Sequence, residues 1–271
     1  MVSMYPKREV FSHSPLALVA AEVRFSDAAR LRQQETRDRI QIALEARFPI
    51  AERFERHQFT VGPNGPQPVE PVTGIMLKNL ARTESLSIAS TFIAYETTNY
   101  EDFDILLSAL SAASTALLEA GAAPALERIG LRYIDEIRVP GEVSEVGDWS
   151  EWIDSRLLSV VGFAPHGATA SSMQGHASYD LGAGRQLNFQ YAALNGPSVV
   201  GSENLLRVQP EVGPFFVLDF DAFETFVSGG GVLLNLQTVE SSLSAVHSPA
   251  GATFQESITD QARNLFRGGL L

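Results

Sequence analysis

Apolar and polar positions alternate first between Leu16 and Phe25. Val19, Ala21, Val23 and Phe25 fall on one side of an extended chain, with Glu22 and Arg24 on the other. That alternation predicts a half-buried strand. After Asp27, a residue suited to capping, Leu31, Ile40, Leu44 and Phe48 recur at helical spacing and predict a helix within 28–48. The stretch Gly62 to Pro71 holds four prolines and two glycines and reads as a loop. Extended runs at 74–80 and 85–95, separated by 81–84, read as a hairpin. Glu101, Asp102 and Asp104 sit where carboxylates favour a helix start, and Gly121 with Pro124 ends that helix near Ala120. Residues 126–139 then alternate as a strand closed by Pro140 and Gly141.

This order, βαββαβ, predicts a ferredoxin-like lobe over residues 1–140, with both helices on one sheet face. Residues 141–271 predict a second lobe. The spacing of Asp148 and Glu151 suggests a capped helix reaching Val160, followed by strands within 169–181, 185–194, 205–209 and 215–223. Helices are expected at 239–247 and 253–267, divided by Ser248-Pro249-Ala250-Gly251. The fold class expected is α+β: the ferredoxin-like lobe packed on a mainly antiparallel sheet with helical cover.

Composition narrows the function classes. The chain has 271 residues, 45% of them hydrophobic and 19% charged, which suits a folded globular protein. No cysteine is present, so disulfides, thiolate nucleophiles and cysteine zinc sites are excluded. Lys7, Arg8 and Glu9 lead into no apolar run, so no secretory signal is expected, and a cytoplasmic location is. The apolar stretch 105–118 is too short to cross a bilayer, and no membrane association is expected. Net charge is −12, and residues 141–271 hold five Lys/Arg against fourteen Asp/Glu. Such a field repels phosphate backbones and disfavours general nucleic-acid binding, whereas a basic protein partner fits it.

Three segments carry a resemblance: Ser14-Pro15-Leu16 running into Glu22-Val23-Arg24-Phe25, then Arg128-Ile129-Gly130-Leu131-Arg132-Tyr133-Ile134, then His247 followed by Phe254 and Ser257-Ile258-Thr259-Asp260. Together they resemble a sporadically distributed family of uncharacterised prokaryotic α+β proteins. The middle segment is the most specific, because a glycine inside a strand beside alternating arginines is not what β propensity selects. The chain departs from the family where two prolines are usual and Ser14-Pro15 stands instead. The resemblance implies a shared fold and an accessory-genome occurrence, such as a defence or toxin–antitoxin-like module, and carries over no catalytic residue.

Residue chemistry offers two candidate sites. Glu22 and Arg24 share the outer face of the first strand, and Arg128 and Arg132 share a face of the 126–139 strand. If these strands are neighbours, the four form a cross-strand ion-pair network or a site for a small anionic ligand. Asp219 and Asp221, at period two on one strand face, are a candidate divalent-metal pair, with His247 the one residue nominated to complete it. The histidines at 13, 57, 166, 176 and 247 show no zinc-site spacing, and His247 is expected to cap a helix end. There is no Gly-x-Ser-x-Gly elbow, and Gly229-Gly230-Gly231 lacks the Gly-Lys-Ser/Thr of a P-loop. The mixed charges of helix 28–48 give no net basic face. The function expected is therefore a noncatalytic binding or regulatory protein without a cofactor, acting through a protein partner or a small ligand. The alternative is a metal-dependent hydrolase or phosphotransfer enzyme using Asp219 and Asp221.

Overall fold

β1 (Leu16–Phe25) lies inside one large antiparallel sheet, as its alternating burial requires. The computed structural model describes residues 9–62, 65–202, 204–226 and 230–269, with backbone alone over 56–62 and 65–70. The remaining strands are β2 (Ile50–Gly62), β3 (Gly65–Lys78), β4 (Glu84–Ala89), β5 (Phe92–Thr97), β6 (Leu126–Ile137), β7 (Met173–Gly182), β8 (Arg185–Gly196) and β9 (Gly213–Thr225). Their spatial order is β2-β3-β4-β5-β1-β6-β9-β8-β7. The helices are α1 (Gln34–Leu44), α2 (Phe103–Glu119), α3 (Leu236–Ser257) and α4 (Asp260–Phe266). The class is α+β, as expected.

The helices gather on one sheet face. α2 packs on β5, and α3 packs on β6, β8 and β9, while α1 and α3 each touch α2. Beneath them, Val19, Ala21 and Val23 of β1 stand beside Tyr133, Leu131 and Ile129 of β6, and those beside Phe220, Ala222 and Glu224 of β9. α3 contributes Val239, Leu243 and Val246 to this core, each side chain worth roughly 1.5–3 kcal/mol on leaving water. α2 starts where Asp102 accepts from the amides of Asp104 (2.6 Å) and Ile105 (3.2 Å), two donors that a helix leaves unpaired.

Several expectations are corrected. The expected lobe would place β1 beside a parallel strand, but β1 is antiparallel to both β5 and β6. The cause is local: the 85–95 run is not one strand but the end of β4, a turn at 90–91 and the start of β5, which reverses the chain once more. The stretches 1–140 and 141–271 share the one sheet, because β6 pairs with β9 from Arg128↔Thr225 to Ile137↔Phe216. The expected loop from Gly62 to Pro71 is instead the tip of the β2–β3 hairpin, with Val61↔Pro66 and Phe59↔Pro68 in register; Pro63 and Asn64 lie outside the described residues. β4 pairs with β3 only from Gly74 onward, so Pro66 and Pro68 lie where their missing N–H groups break no second ladder. A register shift between Arg56 and Gln58 takes up the extra residues near Pro71.

On the C-terminal side, the helix expected to reach Val160 is two short 3-10 segments at Val146–Glu151 and Ser159–Phe163. Its capping box is formed by Glu145 and Asp148, three residues earlier than expected. Residues 205–209 form no strand. The supposed breaker at 248–251 lies inside α3, which runs through Pro249 to Ser257. Burial of Val239, Leu243, Val246 and Ala250 along one helical face outweighs the backbone hydrogen bond that proline, lacking an N–H, cannot donate.

Candidate functional site

The face of the sheet away from the helices carries six of the seven residues that the sequence nominates, all but His247. Glu22 and Arg24 of β1, Arg128 and Arg132 of β6, and Asp219 and Asp221 of β9 occupy three adjacent strands. Arg132 donates to both carboxylate oxygens of Asp219, Nε at 2.8 Å and Nη2 at 2.6 Å. Arg128 Nη2 donates to Asp221 at 2.7 and 2.9 Å, and its Nη1 lies 3.6 Å from Glu22. Arg24 Nε donates to Glu22. Three guanidiniums therefore meet three carboxylates, and Arg132 is held above its usual pKa range by its hydrogen bond to Asp219. The six charges cancel, Glu96 lines the same surface, and each arginine already holds a carboxylate, so a small anion has to displace one to bind.

The same geometry bears on the metal reading. Asp219 and Asp221 do share a face, but a divalent ion there has to displace Arg132 and Arg128. His247, the nominated third ligand, belongs to α3 and bonds to Tyr133, on the opposite side of the sheet. Among the described residues, no group of three or more His, Asp or Glu side chains is placed to hold a metal ion.

On the helix side, sequence reasoning missed a cavity of about 260 Å³ between α3, β6 and the start of the described chain. Tyr100, Tyr133, Phe220 and Phe254 supply aromatic wall, Ala250 and Gly251 supply space, and Asp135 supplies a carboxyl group. The room follows from sequence. At the turn of α3 over Asp135 the helix presents alanine and glycine where a core helix ordinarily presents leucine. A register shift of β1 between Leu16 and Leu18 opens the sheet at the same level, where Leu16 pairs with Asp135.

Asp135 points inward because β6 alternates: Ile129, Leu131, Tyr133, Asp135 and Ile137 face the helices. It is 2% exposed, and no hydrogen bond or ion pair joins its carboxyl group to another described residue. Burial drives its pKa well above the usual carboxylate range, and the negative charge of Asp219 across the sheet pushes the same way. Beside it, the Tyr133 hydroxyl and His247 Nδ1 share a hydrogen bond of 2.8 Å. The imidazole stacks on Phe103 with centroids 4.2 Å apart and planes at 6°, and Tyr100 meets Tyr133 edge-on at 5.8 Å. His247 thus fixes a cavity wall from mid-helix and does not cap a helix end. One signal in the sequence pointed here: an aspartate in phase with the apolar positions of a strand otherwise lined by Ile, Leu and Tyr.

The cavity is of the kind that binds small molecules, mostly apolar with a few convergent polar groups. No family model matches this chain, and no curated protein matches it either.

Proposed function

We propose that this chain is a noncatalytic binding protein whose ligand is a small molecule held in the cavity between α3 and β6. The observation that carries the reading is Asp135, a carboxyl group buried to 2% exposure with no partner among the described residues, lining an aromatic-walled space. A ligand group that bonds to this carboxyl gains a contact largely screened from bulk water, where such a bond is stronger. The cavity holds the share of about nine waters at ~30 Å³ each, which suits one ring with a short side chain. A regulatory role follows if the ligand binds only the folded chain, because it then stabilises the packing of α3 on the sheet. The accessory-module setting rests on the sequence resemblance, and co-expression with neighbouring reading frames tests it.

A thermal-shift screen of small ring compounds, run beside Gly251→Leu, tests the ligand reading. Gly251 lines the cavity and lies inside α3, where leucine is the better helix former, and circular dichroism checks that the variant keeps its fold. The expected result is a set of compounds that raise the melting temperature of the wild type and leave Gly251→Leu unmoved. A screen flat on the wild type at saturating concentration, or equal shifts on both proteins, rejects the reading.

A further inference from the structure

Resting on that ligand-binding reading, the lining of the cavity also specifies the charge of the ligand. Its acidic groups are Asp135 inside and Glu9 and Glu101 nearer the surface, and no lysine or arginine is among the described residues that line it. Glu9 is engaged by Arg267, at 2.5 and 2.7 Å. His247 directs Nδ1 at Tyr133. Asp135 is left as the inward polar group that no described side chain or amide satisfies. Around it stand the rings of Tyr100, Tyr133, Phe220 and Phe254, whose π faces attract cations. An anionic ligand meets three carboxyl groups in this space, whereas an ammonium finds an acceptor, aromatic faces and an acidic approach.

We propose that the cavity takes a small organic cation, a protonated primary amine on a one-ring apolar body. Its ammonium sits on Asp135, and its ring lies against Tyr100, Tyr133, Phe220 and Phe254. This sign is opposite to that of the anion expected at Arg24 and Arg132. The aromatic walls also favour a ring over a linear polyamine, whose further ammonium groups find no acceptor beside the rings.

Isothermal titration of the full chain with 2-phenylethylamine and its neutral counterpart 2-phenylethanol, at pH 7.5, separates the claims. The amine should bind the wild type at least tenfold more tightly than the alcohol. Asp135→Asn should bind the two equally, with its fold checked by circular dichroism; Asp135→Ser provides the same test should the asparagine variant not fold. Alcohol binding equal to or tighter than amine binding on the wild type overturns the cation assignment and leaves the ligand-binding reading standing. A preference for amine that survives in the Asp135 variants also overturns it, because the charge is then read elsewhere. Binding of neither probe, together with a flat fragment screen, removes both.

Discussion

The guanidinium of Arg128 lies in the space that Gly130 leaves empty: a Cβ placed on Gly130 would stand 2.4 Å from Arg128 Nη1. Across that glycine the arginine reaches Asp221 on β9 and rests over the ring of Phe223, 4.3 Å from its centroid. A glycine that β propensity does not explain is thereby explained by a side chain crossing its own strand.

Gly130→Ala should therefore uncouple Arg128 from Asp221 while changing overall stability little. Alanine gains roughly 0.4–1 kcal/mol from reduced unfolded-state freedom, which offsets a partly buried ion pair worth about 1 kcal/mol. A double-mutant cycle on Arg128→Ala and Asp221→Ala reads the coupling directly. It should fall to near zero in the Gly130→Ala background. Coupling of the same size in both backgrounds would show that the glycine is not what admits the arginine.

Tyr133→Phe removes the hydroxyl that meets His247 Nδ1 and keeps the ring. A net loss of about 0.5–1.5 kcal/mol is expected from urea unfolding, the usual worth of one such bond. The ring contacts of Tyr133 with Tyr100 and His247 should persist, so near-ultraviolet circular dichroism should stay close to that of the wild type.

Glu136 fastens Ser198, Val199, Val200 and Arg207 to the far face of the sheet. Its Oε1 accepts from Ser198 Oγ and from the amides of Val199 and Val200, and its Oε2 accepts from Arg207 at 3.3 Å, with a side chain 1% exposed. Glu136→Ala strands Arg207 and leaves Arg138 without its neighbouring carboxylate, so a loss of roughly 3–5 kcal/mol is expected. Limited proteolysis should then cut first near 199–206. Unchanged cleavage and an unchanged melting point would assign the segment's anchorage to Val200 and its apolar contacts alone.

Much of the fold was legible where one signal dominated. The alternation in 16–25 and the acid-started helix before Gly121 need no tertiary information, and both appear with bounds close to those expected. Elements governed by distant partners were not legible. Pro66 and Pro68 read as loop until β2 is known to be their strand's one neighbour there, and Pro249 reads as a break until the apolar face of α3 is counted across it. The six nominated charged residues were legible as two sites; pairing of β6 with β9, separated by more than seventy residues of chain, makes them one patch. Asp135 was legible as an aspartate in phase with a core strand, but its solitude depends on which residues of α3 face it.

Asp135 also sets a pH dependence whose sign is fixed. Its folded pKa lies above the unfolded value, so above the unfolded pKa the folded chain holds a proton that the unfolded chain has released. The groups facing the cavity are Glu9, Glu101, Tyr100, Tyr133 and His247, with Asp219 acting through the sheet. From about pH 4, where an unfolded aspartate ionises, wild-type stability should fall relative to Asp135→Asn as pH rises, and the gap should level off above the folded pKa. Asparagine carries no charge into the cavity, so the variant should be the more stable protein at pH 8 even as it loses preference for amines. Denaturant unfolding of both proteins at intervals from pH 4 to pH 9 measures the gap. A gap that stays constant or closes with rising pH would mean that a cation already neutralises the Asp135 carboxylate in the free protein, and the site would then need no ligand of its own.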